Sequence, residues 1–411
     1  MAYSENWNGY VAIKAQSALG SQASGADGLI LWTSGGVGGL LSKAAVESQI
    51  VRHDAQQLRG RHGSRRTSGN YNSELGIGRA DPVWEALMRS TWSAANLAIT
   101  EATAGLTSIT TGANSIVASA GSWITAGVRV GDVWRLTGHS TAANNDRNLR
   151  ITGVTALTLT VAETLVVNAV ADTAFTLTRP GRVLLNGAAG AIGRTYFTVE
   201  EYEYDLDASE LFTDCRWSRG MIRMGPDGNL DTEYGWTGTG KAETKSAGAA
   251  PHFTSPTDPT ALSLAAAEAV VRLGSTDIAE LTAFDLSIDL QPQAPPVINS
   301  TGISPDVFLG TFRPSMNLTV LRKDLQALAD FDAETQLSLH LLGSEAETAP
   351  ADFFALSLQN FTLGGVAKSA MSKGGGARTV QLSIPAELIG KDTRGGAYDA
   401  TTMKIQVSNA A

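Results

Sequence analysis

The chain is poor in the residues that most reactive sites need. It has one cysteine, Cys215, in 411 residues, so neither an intramolecular disulfide nor a cysteine-rich metal centre can form. A lone cysteine reads most simply as a small apolar residue. The five histidines, His53, His62, His139, His252 and His340, show no metal-ligand spacing. No G-x-S-x-G nucleophile elbow is present. Charged residues are 17% of the chain, against an average of about 25%, which points to a surface partly covered by partners. A net charge of −9 leaves no surplus of lysine and arginine to neutralise phosphates, so a general nucleic-acid binder is not expected. A surface that DNA passes without sticking remains compatible with it. No apolar run approaches the ~18 residues of a membrane span. Met1–Tyr10 lacks the basic start and apolar run of an export signal. A protein made in a cytoplasm, with no membrane partner, is the expectation.

Glycine is abundant, at 43 residues, which suits many tight turns between short strands. Alternation at period two dominates the rest. Phe308, Gly310, Phe312, Met316, Leu318 and Val320 share one parity, and Thr311, Arg313, Ser315, Asn317 and Thr319 the other, the mark of a half-buried strand. Leu337–Leu341, Leu356–Leu358, Val380–Ile384 and Met403–Val407 repeat the pattern. Helices are few. Asp81-Pro82 offers an N-cap oxygen followed by proline at the first helical position, ahead of an apolar stripe of Val83, Trp84, Leu87 and Met88. A second short helix starts near Asp324, with Leu325, Leu328 and Phe331 on one face.

These two strand-then-helix stretches resemble copies. A shift of about 241 positions sets Gly69 on Gly310, Tyr71 on Phe312, Leu75 on Met316, Trp84 on Leu325 and Leu87 on Leu328. A different segment intervenes, rich in Thr, Ala, Val and Leu, with turn signals at Gly131-Asp132, Gly138 and Asn144-Asn145-Asp146. Ile151 to Val161 reads as a hairpin, and Phe175 with Leu177 as a closing strand. The expected class is mainly β: two tandem β-sandwich domains, each with a short α-helix, plus an inserted small β-barrel or sandwich. The expected bounds are 1–106 with 182–245 for the first domain, 107–181 for the insert and 246–411 for the second.

Two glycine-rich stretches invite nucleotide readings. Gly235-Trp236-Thr237-Gly238-Thr239-Gly240-Lys241-Ala242 matches a P-loop except that Ala242 replaces the magnesium-binding hydroxyl, and no helix pattern follows. It reads as a flexible turn before a loop. Gly35-Gly36-Val37-Gly38-Gly39 lacks the βαβ unit that a dinucleotide site needs. It reads as a glycine-rich loop, with at most one helical turn before a strand at Ile50. No cofactor is implied. Two charged stretches carry more. Arg59, Arg61, Arg65 and Arg66 crowd what reads as one loop, which is either simply solvated or an arm toward carboxylates of a neighbouring subunit. Glu201, Glu203, Asp205 and Asp207 share one parity of a strand, with Tyr202, Tyr204 and Leu206 on the other. Four like charges on one face repel, so they are solvated, bind a cation or meet arginines.

The order of these features resembles the tail tube (major tail) proteins of long-tailed bacteriophages. Val46 to Leu87 carries the likeness: a strand, an arginine-rich loop, the Gly69-Asn70-Tyr71 strand, then Asp81-Pro82 and a helix with Trp84 and Leu87. Phe308 to Phe331 repeats it, and Tyr196 to Gly225 resembles the family's later strands. The resemblance covers about four-fifths of the chain and rests on order and texture, with no signature motif. It implies a structural virion protein, not an enzyme, that self-assembles into stacked rings around a lumen for the genome. Its partners would be copies of itself, the tape measure protein and DNA in the lumen, and tail terminator and baseplate proteins. Rings of the family have about six tube domains, so two per chain imply a pseudo-sixfold trimer. Loops including Arg59 to Arg66 and Gln291 to Asp306, the latter stiffened by Pro292, Pro295 and Pro296, would reach the next ring. An acidic lumen would let DNA slide. The other readings are a baseplate or terminator ring protein, a carbohydrate-binding module with aromatics on a flat face, or a depolymerase with paired carboxylates such as Glu201 and Glu203 in a groove.

Overall fold

Period-two alternation resolves into antiparallel strands in three sheets, seen in a computed structural model that describes residues 3–246, 248–346 and 350–408. The central run joins eight strands in the order Gly35–Val46, Arg61–Glu74, Asp231–Gly238, Ala208–Met224, Leu281–Asp289, Arg313–Leu321, Thr379–Ile384 and Gly365–Lys368. The first four come from one half of the chain and the last four from the other. Their junction is the antiparallel pair Ala208–Met224 with Leu281–Asp289, where Ile222 faces Leu286.

Each half covers this central sheet with a second layer. In the first half the order is Leu29–Leu31, Gly9–Ala15, Phe197–Glu203, the start of Ala208–Met224, and Lys241–Lys245. In the second it is Thr276–Asp277, Ala269–Leu273, Leu337–Ser344, Phe353–Phe361, Lys404–Val407 and Arg182–Leu185. Along the chain both halves follow one plan: an outer strand, two central strands, a short helix, two outer strands, two central strands and a last outer strand. The 17-residue strand Ala208–Met224 serves both layers by bending, whereas the second half splits the same course into Phe353–Phe361 and Gly365–Lys368. The fold is therefore two tandem β-sandwiches. Their shared core holds Tyr71, Phe197, Trp217 and Trp236 at one end and Phe284, Leu318, Leu339 and Leu356 at the other.

The glycine run is a strand rather than a loop. Gly39 and Gly69 lie opposite each other in the ladder. A Cβ on Gly39 would stand 2.2 Å from the Phe212 ring, and one on Gly69 2.4 Å from Trp236. The glycines let two large rings press against the sheet, a packing demand that mimics a loop in composition. The strand ends at Val46, and Ile50 is exposed in the connection that follows, with no strand there. The P-loop-like stretch is the end of Asp231–Gly238 and the start of Lys241–Lys245, both strands.

Helix Asp81–Met88 forms where Pro82 predicts it, but its N-cap is Ala80 and Asp81 makes no cap. The Asp81 carboxylate instead pairs with Arg182 at 2.5 Å. Burial raises its pKa, with Arg182 opposing. Trp84 and Leu87 are buried between layers, Trp84 meeting Tyr234 at 5.7 Å and Phe354 at 6.0 Å between ring centres. The helix Gln326–Asp332 has no buried residue. Leu325 and Leu328, which the 241-residue shift sets on Trp84 and Leu87, are exposed. Gly310 and Phe312 precede the strand Arg313–Leu321, so that shift aligns the halves only loosely.

The intervening segment is an eight-stranded sheet from Leu97–Thr100 to Thr176–Arg179, with its own core around Trp123, Trp134 and Phe175. Leu97–Thr100 pairs with Thr176–Arg179, so the unit starts ahead of the composition shift at Thr107. The hairpin Leu149–Val154 with Thr158–Val161 forms as its alternation indicates. The unit sits on the far side of the second outer layer. Val133 packs with Leu342, Phe353 and Ala355. Beside them the Lys404 ammonium donates to Asp132 at 2.8 Å and Val130 O at 3.0 Å, and also pairs with Asp399. Arg150 bridges Glu163 at 2.6 Å and Asp277 at 2.8 Å.

Candidate assembly interface

One side of the central sheet faces the core, and the other is a polar ladder. In one row Asn70, Gly235, Arg219, Asp289 and Arg313 follow each other across neighbouring strands. In the next the sequence is Asn72, Glu233, Met221, Ser287 and Ser315. The guanidiniums each have a carboxylate partner. Arg219 is 3.9 Å from Asp289, Arg223 is 3.4 Å from Glu233 and 3.7 Å from Asp285, and Arg313 pairs with Glu387. Ser287 and Ser315 hydroxyls share a hydrogen bond of 2.8 Å. Small neutral side chains and compensated arginines offer phosphates few free cations.

The sheet's two ends are open. Among the described residues Gly35–Val46 pairs only with Arg61–Glu74, and Gly365–Lys368 only with Thr379–Ile384. Each leaves a row of backbone donors and acceptors without a strand partner, apart from Gly39 N, which donates to Glu201, and such an edge invites another strand.

The charged stretches land differently from their sequence reading. Arg61, Arg65 and Arg66 lie in the strand Arg61–Glu74, and only Arg59 lies in the connection. Arg59, Arg61 and Arg66 are exposed, while Arg65 is half-buried, its backbone N–H donating to Gly302 O at 2.7 Å. Glu201 ends in the sandwich, accepting from Gly39 N at 2.5 Å and Tyr71 Oη at 2.6 Å. Asp205 and Asp207 lie in the turn after the strand Phe197–Glu203. There Asp205 accepts from Glu5 N and Asn8 Nδ2, and Asp207 from Tyr202 Oη at 3.1 Å. Among the described residues none of these eight charged groups pairs with an opposite charge. Glu210 faces Glu201 across the ladder. Its pKa is raised by burial and by the Glu201 and Glu203 charges.

Pro292, Pro295 and Pro296 belong to the connection between Leu281–Asp289 and Arg313–Leu321. That connection is the second-half counterpart of the one between Gly35–Val46 and Arg61–Glu74. Both present apolar residues to solvent: Ile50 and Val51 in the first, Val297 and Ile298 in the second. Among the described residues no His/Cys/Asp/Glu group could hold a metal ion, and no helix is long and apolar enough to cross a membrane.

A family model described as phage tail tube protein matches residues 6–390. The chain belongs to the phage tail tube protein family. No curated protein matches it. The family makes this tail tube chain a structural component of the virion tail, built to assemble with other tail components. The polar parity of Arg313 and Ser315 is legible in the sequence, whereas the open sheet edges are not, because edge position depends on topology rather than composition.

Proposed function

We propose that this tail tube chain forms closed rings of three copies, which stack into the hollow tube that delivers the genome. The observation that carries the reading is the central sheet, with eight strands, one polar face and two unpaired edges. The joint between the halves, Ala208–Met224 against Leu281–Asp289, is the template. Gly365–Lys368 holds the same place in the second half that the end of Ala208–Met224 holds in the first, and Gly35–Val46 the same place as Leu281–Asp289. Pairing Gly365–Lys368 of one copy with Gly35–Val46 of the next repeats the joint and closes the edges.

The division into a first tube domain, an insert and a second tube domain is part of this reading, with the insert starting at Leu97 rather than at 107 and the strand Arg182–Leu185 serving the second domain's outer layer. The polar face lines the lumen, where DNA and the tape measure protein lie, and the insert on the far layer faces outward. A lumen wall on which Arg219, Arg223 and Arg313 are paired with carboxylates lets DNA slide. The connections with Ile50, Val51, Val297 and Ile298, including Pro292, Pro295 and Pro296, reach the next ring. Arg59, Arg61, Arg65 and Arg66 meet carboxylates of a neighbouring copy. Glu203 is the best suited of these, because Glu201, Asp205 and Asp207 already accept hydrogen bonds within the chain. Terminator and baseplate proteins cap the stack, and the subunit is made in the host bacterial cytoplasm. Electron microscopy of the purified, concentrated protein tests the reading. Hollow tubes or rings with threefold or pseudo-sixfold symmetry are expected, and a protein that stays monomeric at every concentration and with tail initiators added contradicts it.

A further inference from the structure

The two short helices occupy matching places in the two halves, yet only one is covered. Helix Asp81–Met88 lies against the first half's central strands, where Leu87 Cδ1 leaves only 2.7 Å for a Cβ on Gly220. Its other side is closed by the second half's outer layer, with Trp84 against Phe354 and Asp81 against Arg182. The helix of one half is thus sealed by the outer layer of the half that follows it around the sheet.

Among the described residues no outer layer of a following half covers helix Gln326–Asp332. Leu325, Leu328 and Phe331 are 60%, 52% and 39% exposed. On its other face, through Gln326, Ala327 and Asp330, the helix borders a groove of about 510 Å³ that reaches core residues Val380, Leu382 and Leu337. Three apolar side chains at the cap and along a short helix gain little by facing water, so they form an apolar patch suited to a partner surface.

We propose that this helix is sealed by the first-half outer layer of a second copy of the chain, so that Leu325, Leu328 and Phe331 contact the turn joining Phe197–Glu203 to Ala208–Met224. The inference rests on the ring reading and names the surface the ring would use beyond its sheet edges. In the covered joint, Phe354 is the second residue of the strand Phe353–Phe361, which pairs with Leu337–Ser344. The corresponding place in the first half is the start of Ala208–Met224, beside the 204–207 turn, which exposes Leu206 at 46% and Tyr204 at 56%. The repeat therefore sets one exposed apolar patch against a different one, the heterologous contact that a head-to-tail ring uses.

The test compares the wild type with L325E/L328E in solution. Because both leucines are exposed in the single chain, the variant should melt as the wild type does when monomeric. Its threshold concentration for assembly should rise at least about tenfold, since two leucines lose their burial and two charges would enter the contact. A wild type that never assembles overturns both the ring reading and this inference. A wild type that assembles while L325E/L328E assembles at the same concentration overturns this inference alone. Should the variant melt early, L328C/L206C decides: a short bismaleimide should link neighbouring chains in assembled material, with Cys215 buried and silent. Assembled L328C/L206C that yields no linked chains refutes the contact.

Discussion

Replacing Lys404 with methionine tests how the insert is held. Lys404 and Asp132 expose 2% and 1% of their side chains, and the ammonium also meets Val130 O and Asp399. Burial works against the charge, but Asp132 and Asp399 together hold the lysine pKa above its usual range. Methionine fills similar volume and removes the cation. Asp132 is then left as a buried carboxylate without its counter-charge, and breaking a buried pair in this way costs about 3–5 kcal/mol. Urea unfolding of the monomer should register that loss. K404M/D132N should recover most of it, because the second change removes the stranded charge. Tube formation should persist at concentrations where the variant stays folded, since Lys404 lies on the layer remote from the central sheet. A K404M protein less than about 1 kcal/mol weaker than wild type would mean that water already solvates this cluster, and the reasoning would fail.

Other outcomes follow from the same contacts. Burial, with Arg150 and Lys404 nearby, lowers the His340 pKa to about 3. The unfolded chain therefore takes up a proton that the folded chain refuses. Stability falls as pH drops from about 6.5 toward about 3, by up to about 1.4 kcal/mol per pH unit. His340→Leu should flatten the acid limb of a melting-temperature profile, and an unchanged limb refutes it. Gly220→Val should cost about 1–3 kcal/mol by overpacking against Leu87, read by thermal melting, and pairing it with Leu87→Ala should restore part of that loss. Reversing charge at Arg65 and Arg66 should weaken assembly without unfolding the monomer, and unchanged assembly would remove the arginine contact from the account.

Much of the fold was legible. The strand at Val380–Ile384, the hairpin near Ile151 and the helix at Asp81 follow from periodicity and proline, because such signals are local. The glycine run misled because its composition reflects the Phe212 and Trp236 rings, contributed by strands far along the chain. Asp81 misled for a related reason: the partner that captures its carboxylate, Arg182, lies beyond the insert. The acidic parity at Glu201 to Asp207 was read as one face, but the strand stops at Glu203 and the rest is turn. The apolar stripe of Leu325, Leu328 and Phe331 is visible in sequence, whereas its exposure depends on which layers the tertiary fold brings against it. Lys404 and Gln406, alternating with Ile405 and Val407, resemble an ordinary wet face until the insert is docked on them.

Electron microscopy of the purified chain tests the central claim most directly. The account predicts hollow tubes or stacked rings built from three chains, with a pseudo-sixfold inner wall and the inserts projecting outward. Rings of six chains, inserts inside the lumen, or a protein that remains single under every assembly condition would contradict it.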